Sequence, residues 1–264
     1  LFPYTTLFRS WPAEKLEVLI LIEQEDTLTR DALAKASPPP NFHVGTIPKG
    51  QPQTKPRACN YALRFARGDY VTVFDADDRP ERLQLKKAVY TFRNCPADVA
   101  CLQAHLNYYN AGDNLLTRFF SLEYAILFRF MLYGLEHLGI PIPLGGTSNH
   151  IAIDRLKAVG AWDPYNVTED ADLGVRLTTY GFRTAMFDSH TMEEAPVTVM
   201  AWIRQRSRWI KGYMQTWLVH MRHPAILYRT LGPQGFTGFQ LFIGFSCFAF
   251  LTGPLVWLLS LLWV

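Results

Sequence analysis

Short, continuous apolar runs alternate along the chain with longer stretches of helical spacing. Residues 17–22 (Glu-Val-Leu-Ile-Leu-Ile) are too short for a helix and rich in β-branched side chains, which predicts a buried parallel strand. Residues 29–36 then read as a short helix stopped by Ser37-Pro38-Pro39-Pro40, and residues 42–47 as a second strand. After a Pro/Gln/Lys-rich loop at 49–56, residues 57–66 place Ala58, Tyr61, Ala62 and Phe65 on one helical face, with Gly68 as the expected stop. Tyr-Val-Thr-Val-Phe at 70–74 is the clearest strand. It runs into Asp75-Ala76-Asp77-Asp78, and Pro80 is expected in the first turn of a helix reaching about Arg93. A strand at 99–104, a long aromatic helix at 114–137, a Gly/Pro loop at 141–147 and a helix at 168–180 closed by Gly181 complete the pattern. Strands alternating with helices predict an α/β fold with a mainly parallel central sheet covered by helices on both faces.

The pattern changes near residue 200. Ile203, Ile210, Tyr213, Met214, Trp217, Leu218 and Met221 form an apolar stripe, and Arg204, Arg208, Lys211 and Gln215 a polar one, so 201–229 reads as an amphipathic helix suited to a bilayer surface. Beyond Arg229 there is no Asp, Glu, Lys, Arg or His, and residues 236–264 have the length and apolarity of a transmembrane segment cut short at its end, with Gly253-Pro254 as an expected kink. The basic residues before it put the preceding domain on the cytosolic side of the membrane. Residues 1–10 lack the features of a signal peptide. They match the in-frame translation of a common sequencing-adapter oligonucleotide and are expected to be non-native, which leaves 11–200 as the folded domain.

Composition adds constraints. The chain has 264 residues, 49% hydrophobic and 19% charged, with 26 Lys plus Arg against 23 Asp plus Glu. That excludes overall disorder, and a net charge of +3 does not point to nucleic acid as a partner. Cys59, Cys95, Cys101 and Cys247 form neither a zinc pattern nor a disulfide framework.

Four groups of residues could carry chemistry. Asp75 and Asp77 lie two apart at the carboxyl end of a strand, where ligands collect in α/β sheets; hard oxygens there suit Mg²⁺ or Mn²⁺ bridging a diphosphate, or else the turn merely caps the next helix. Lys55 precedes a helix whose amino end attracts phosphate. Thr168-Glu169-Asp170 opens a helix, where the carboxylates serve the helix dipole or Asp170 serves as a general base. Gln205, Arg208 and Trp209 share one helical face; Arg208 and Gln205 can donate to phosphate or hydroxyl oxygens, and Trp209 can stack on a sugar ring. Gly145-Gly146-Thr147-Ser148-Asn149-His150 reads as a flexible polar loop able to line a sugar pocket, with His150 a structural histidine.

In this order, followed by an apolar span, these groups resemble the processive family 2 glycosyltransferases, the cellulose-synthase-like membrane enzymes, as do the 145–150 loop and Trp162-Asp163-Pro164-Tyr165-Asn166-Val167. The resemblance runs from Trp11 to Val264. It implies a GT-A nucleotide-diphospho-sugar fold whose first strand is missing here. It also implies metal-dependent, inverting transfer from a nucleotide-diphospho-sugar to a glycan or other hydroxyl acceptor. In that family's terms Glu25 or Asp26 contacts the nucleotide, Lys55 and Asp75 the diphosphate, Asp75 and Asp77 the metal, and Asp170 is the base. Glu169, Gln205, Arg208 and Trp209 hold the acceptor. The competing expectations are a metal-dependent nucleotidyl or phosphoryl transferase using the same Asp pair, and an inactive membrane-embedded binding subunit.

Overall fold

The computed structural model describes Leu7, Phe8 and residues 10–263. The expected non-native stretch, 1–10, therefore lies largely outside the described residues; Leu7 of that stretch is buried.

β1 (Val18–Glu23) and β2 (Phe42–Ile47) pair in parallel, joined by α1 (Thr27–Ala36), and form a two-stranded sheet of their own. α2 (Lys55–Leu63) carries Pro56 in its first turn, where a missing N–H costs nothing. β3 (Tyr70–Thr72) leads through the acidic turn to β4 (Arg79–Pro80) and α3 (Gln84–Asn94). Pro80 thus lies in a short strand paired with Thr191, not in a first helical turn, and the helix starts four residues later. β5 (Val99–Tyr108) extends past the expected strand end. α4 (Leu115–Ile126) begins at a capping box between Asn114 and Thr117 and passes through a π-helical turn at Leu127–Met131 into α5 (Leu132–His137). β6 (Asn149–Ala152), α6 (Ile153–Ala158), α7 (Glu169–Thr179), β7 (Arg183–Glu193) and α8 (Val199–His220) follow.

The main sheet has the order β3-β6-β5-β7-β4. Only β5 and β7 pair in parallel; β6 is antiparallel to both β3 and β5, and β4 is antiparallel to β7. The α/β fold is as expected, but its sheet is mixed. The long excursion through α4 and α5 returns the chain at the opposite end of the sheet, so β6 enters reversed, and hydrophobic period carries no information about that direction. β6 also corrects the picture of 145–150 as a flexible loop. Thr147, Ser148, Asn149 and His150 are all buried, and the last two belong to a strand between two others.

Side chains alternate across the sheet. Cys101 and Ile151 pack with Leu173 and Leu177 of α7, whereas Leu102 and Ala104 pack with Ala88 of α3 and Phe187. A third cluster joins Leu106, Tyr108 and Met186 to Phe120, Tyr124, Phe128 and Leu132 of the long helix.

α9 (Pro224–Phe239), a π-helical turn at Gln240–Gly244 and α10 (Phe245–Trp263) form a helical run, Pro224–Trp263. Among the described residues it is the one long and apolar enough to cross a membrane, and 11% of its most apolar window is buried. The expected kink at Gly253-Pro254 is not where the backbone breaks. Helix continues through Pro254, and the interruption falls at Gly232, whose φ of 68° is open to glycine at little cost. Tyr213, Trp217 and Met221 pack on Leu227, Phe239 and Ile243, so part of the apolar stripe of α8 covers this run instead of facing outward.

Ile151 is fully buried on the central β6. Ile151→Ala is expected to destabilise the fold by about 2–5 kcal/mol, read as a lowered unfolding midpoint in detergent; a loss below about 1 kcal/mol would contradict its central position.

Candidate active site

The acidic turn after β3 and the 145–150 segment are fastened together. The Asp78 carboxylate accepts from the backbone N–H of Asp75 at 2.7 Å and from the Thr147 hydroxyl. Ser148 N–H donates to the Val73 carbonyl at 2.9 Å. Buried Gln103 pins the other side, accepting from Gly145 N–H at 2.9 Å and donating to the Thr147 carbonyl at 3.1 Å. These bonds hold the Gly-rich stretch against the sheet and the acidic turn.

Lys55, at the start of α2, reaches across to this assembly. Its Nζ lies 2.5 Å from Asp75 Oδ1 and donates to the Gly146 carbonyl at 2.6 Å. Burial disfavours its charge, but Asp75 outweighs that and raises its pKa, so the ammonium is held ionised. Gly146 also faces α7: a Cβ there would stand 3.4 Å from Asp170 Oδ2. Asp170 Oδ1 accepts from Ala171 N–H at 2.7 Å, which orients the carboxylate at the head of α7. Lys55, Asp75 and Asp170 therefore meet around Gly146, and Glu169, next to Asp170, acts on the Lys55 charge.

Burial pushes the pKa of both Glu169 and Asp170 up, and the Asp170 charge pushes Glu169 further. Asp78 is pushed up to about 6, mainly by burial. Glu193 was not anticipated. β4–β7 register sets Arg79 opposite Met192, which brings Glu193 alongside Asp78, and β5–β7 register sets it opposite Tyr108. Burial, then the charges of Asp78 and Asp75, push Glu193 up to about 8. The signal for it was weak, because Asp188, Ser189 and His190 break the apolar pattern of its strand.

Trp209 is part of a partly buried aromatic wall, 5.9 Å from Phe120 and 6.2 Å from Tyr124. Tyr124 joins that wall to the acidic group: burial, then the Glu193 carboxylate, with Asp170 as a smaller contribution, raise its pKa. Arg206, also unanticipated, lies 4.5 Å from the Phe120 ring and 4.7 Å from Trp209 and pairs with Glu123. Gln205 presents a buried Oε1 with no partner among the described residues, and Arg208 is exposed. Glu25 and Asp26 are engaged elsewhere. Glu25 pairs with Lys49 at 2.7 Å, and Asp26 caps α1 by accepting from Thr29 N–H at 3.0 Å. His150 is buried against Phe187 with its pKa pushed down to about 3, a neutral structural histidine as expected.

Among the described residues no group of three or more His, Cys, Asp or Glu converges as a metal cage. Asp75 and Asp77 offer hard oxygens at an accessible turn, which fits a Mg²⁺- or Mn²⁺-type ion whose remaining positions go to waters and substrate phosphates.

The fold is that of the GT-A-like class. A profile of glycosyl transferase family group 2 matches residues 70–264, and the chain belongs to that family. It is 29% identical over 206 residues to a probable glycosyltransferase, YdaM, of Bacillus subtilis, covering 76% of this chain and 49% of that protein. It is 29% identical over 214 residues to the beta-monoglucosyldiacylglycerol synthase of Synechocystis, covering 80% and 44%. The chain thus spans about half the length of these relatives. Among solved structures, a mannosyltransferase from Pyrobaculum calidifontis in complex with GDP-Man and Mn²⁺ superimposes with a TM-score of 0.61 at 18% identity, over 94% of this chain and 75% of that one.

The raised Glu193 pKa has a consequence for stability. The native state keeps a proton that the unfolded chain releases near pH 4–5, so this contribution is complete below that range and is lost as pH rises through about 8. The unfolding midpoint in metal-free buffer is expected to fall between pH 5 and 8, and Glu193→Gln to flatten that dependence; an unchanged slope would remove Glu193 as its source.

Proposed function

We propose that this chain is the transferase part of a membrane enzyme that moves a hexosyl group from a nucleotide-diphospho-sugar to a hydroxyl of a glycan or other acceptor. The observation that carries the reading is the meeting of Lys55, Asp75 and Asp170 around Gly146. A cation for the diphosphate and a carboxylate for the acceptor proton then share one cleft. Family membership and the bound GDP-Man of the Pyrobaculum neighbour favour the same donor class.

Lys55 has three N–H donors; among the described residues two are engaged, by Asp75 and Gly146, which leaves one to meet a phosphate oxygen. Asp75 and Asp77 would hold a divalent ion, which supplies charge neutralisation for the leaving diphosphate. Asp170 accepts the proton of the acceptor hydroxyl as that oxygen forms its bond to the anomeric carbon. The bond from that carbon to the diphosphate breaks on the opposite side, and the electron pair leaves with the nucleoside diphosphate. One displacement inverts the anomeric centre and needs no covalent intermediate. Glu169 borders the acceptor position, and Gln205, Arg208 and Trp209 hold the acceptor end beside the aromatic wall. Glu25, exposed in its pair with Lys49, and Asp26, the cap of α1, follow β1 and are proposed contacts of the nucleotide.

The lipid bilayer is the proposed support. The outer face of α8 presents Ile210, Met214 and Leu218 with Lys211, and Arg222 follows its end, a combination suited to anionic headgroups; the proposed membrane segment, 236–264, belongs to the helical run that begins at Pro224. The basic residues of α8 favour the cytosolic face, where nucleotide sugars are made.

Full-length protein in membranes, screened with GDP-mannose, UDP-glucose and UDP-N-acetylglucosamine, should release nucleoside diphosphate. Asp170→Asn is expected to lower transfer at least about 100-fold with donor KM little changed; activity within threefold of wild type would sink the base assignment. Because burial raises the Asp170 pKa, the base is lost as pH falls, and the acid limb of kcat should lie well above the range of an ordinary aspartate. EDTA should abolish release and Mg²⁺ or Mn²⁺ restore it; in Asp75→Asn/Asp77→Asn restoration should fail. EDTA-resistant transfer would refute the metal requirement.

A further inference from the structure

α8 meets the segment ahead of and within α7 through Gly212, Thr216 and His220, one residue per turn on a single face. At Gly212 the helices approach so closely that a Cβ would overlap the Thr168 side chain. Thr216 Oγ1 accepts from Asn166 Nδ2 at 2.9 Å, and Asn166 Oδ1 in turn accepts from Thr168 N–H at 3.0 Å. His220 Nε2 lies 2.9 Å from Asp172 Oδ1. The other Asp172 oxygen accepts from Arg176 Nε at 2.6 Å, and Arg176 Nη1 donates to the Val159 and Ala161 carbonyls at 2.7 Å each. Asp172 is buried. Burial alone would raise its pKa, but the His220 and Arg176 contacts hold it below the usual carboxylate range, so it is an ionised acceptor and His220 Nε2–H is the donor.

We propose that Asp172 and His220 are positioning residues for the transfer step, locking α7 against α8 so that Asp170 keeps register with Gln205, Arg208 and Trp209. The proposal rests on the reading of Asp170 as the base. Apolar packing alone tolerates sliding between helices, and one residue of slip is about 1.5 Å. A displacement of about 1 Å at a reacting group can lower a rate about 100-fold. A directional, charge-assisted bond at one end of the contact and a glycine-only approach at the other leave one register available. Gly212 and Thr216 set spacing, and the Asp172–His220 bond sets position along the axis. His220 also lies edge-on to Phe239 at 5.9 Å, so the lock adjoins the apolar helical run.

The experiment compares wild type, His220→Gln, His220→Asn, His220→Leu and Asp170→Asn as full-length protein in membranes. It measures nucleoside diphosphate release from GDP-mannose, UDP-glucose and UDP-N-acetylglucosamine, with unfolding midpoints alongside. Gln keeps a donor with the reach of Nε2; Asn has the same amide on a shorter arm; Leu has none. Expected are kcat losses of about 10- to 100-fold in His220→Asn and His220→Leu with donor KM within about twofold of wild type, and kcat within about threefold in His220→Gln. If the Leu variant fails to fold, the Asn and Gln pair decides. Wild-type kcat in His220→Asn, equal loss in His220→Gln, or KM rising in step with the kcat loss overturns the positioning role. Loss in Asp170→Asn with full kcat in the His220 variants overturns the lock alone, whereas full transfer by Asp170→Asn overturns the base reading and with it the purpose of the lock.

Discussion

Lys55 touches the Gly146 carbonyl and the Asp75 carboxylate with one ammonium group, and the candidate site depends on that bridge. It joins the amino end of α2, the acidic turn after β3 and the segment leading into β6, which are far apart in sequence. Neither contact would hold the side chain as well alone, because a flexible lysine loses rotamer freedom when fixed and a partly buried ammonium loses hydration. Together they offset those losses and hold the cation beside Gly146, which also faces Asp170. On the receiving side Gln103 ties the backbone of Gly145 and Thr147 to the sheet, and Asp78 joins the Thr147 hydroxyl to the acidic turn.

Around this cation the carboxylates outnumber the positive charges. Asp78, Glu169, Asp170 and Glu193 all have raised pKa values, with burial as the largest cause in each. A site with crowded, partly buried acidic groups is costly to ionise by itself and favours positive charge when it binds. The same crowding that weakens the apo fold towards alkaline pH thus prepares the cleft for cationic and hydrogen-donating partners, a form of electrostatic preorganisation.

α8 connects this chemistry to the apolar carboxyl-terminal run. Its amino-terminal half brings Arg206 and Trp209 against the Phe120–Tyr124 wall, its middle carries the close approach to Thr168, and its end reaches both Asp172 and Phe239. One amphipathic pattern in the sequence therefore conceals three surfaces: Tyr213 and Trp217 pack inward on α9, Gly212 and Thr216 face α7, and Ile210 and Leu218 remain on the outside. A helix with three different faces cannot be decoded from a two-colour pattern of apolar and polar residues.

Local chemistry explains which parts were legible. Strand 42–47 and the helices beginning near Lys55, Asn114 and Thr168 follow from periodicity, which acts over a few residues, and the ordered acidic and basic motifs follow from residue type. The apolar run after Arg229 is equally local, since length and apolarity are properties of a segment. Strand direction, the burial of Thr147–His150 and the positions of Glu193 and Arg206 were not legible, because each depends on which distant segment arrives alongside. The sequence by itself determined the elements and the kinds of chemistry available. Only the tertiary structure decided that Lys55, Asp75 and Asp170 gather around Gly146 and that His220 finds Asp172, because contacts across 20 to 91 residues are selected by the packing of the whole chain and not by any window within it.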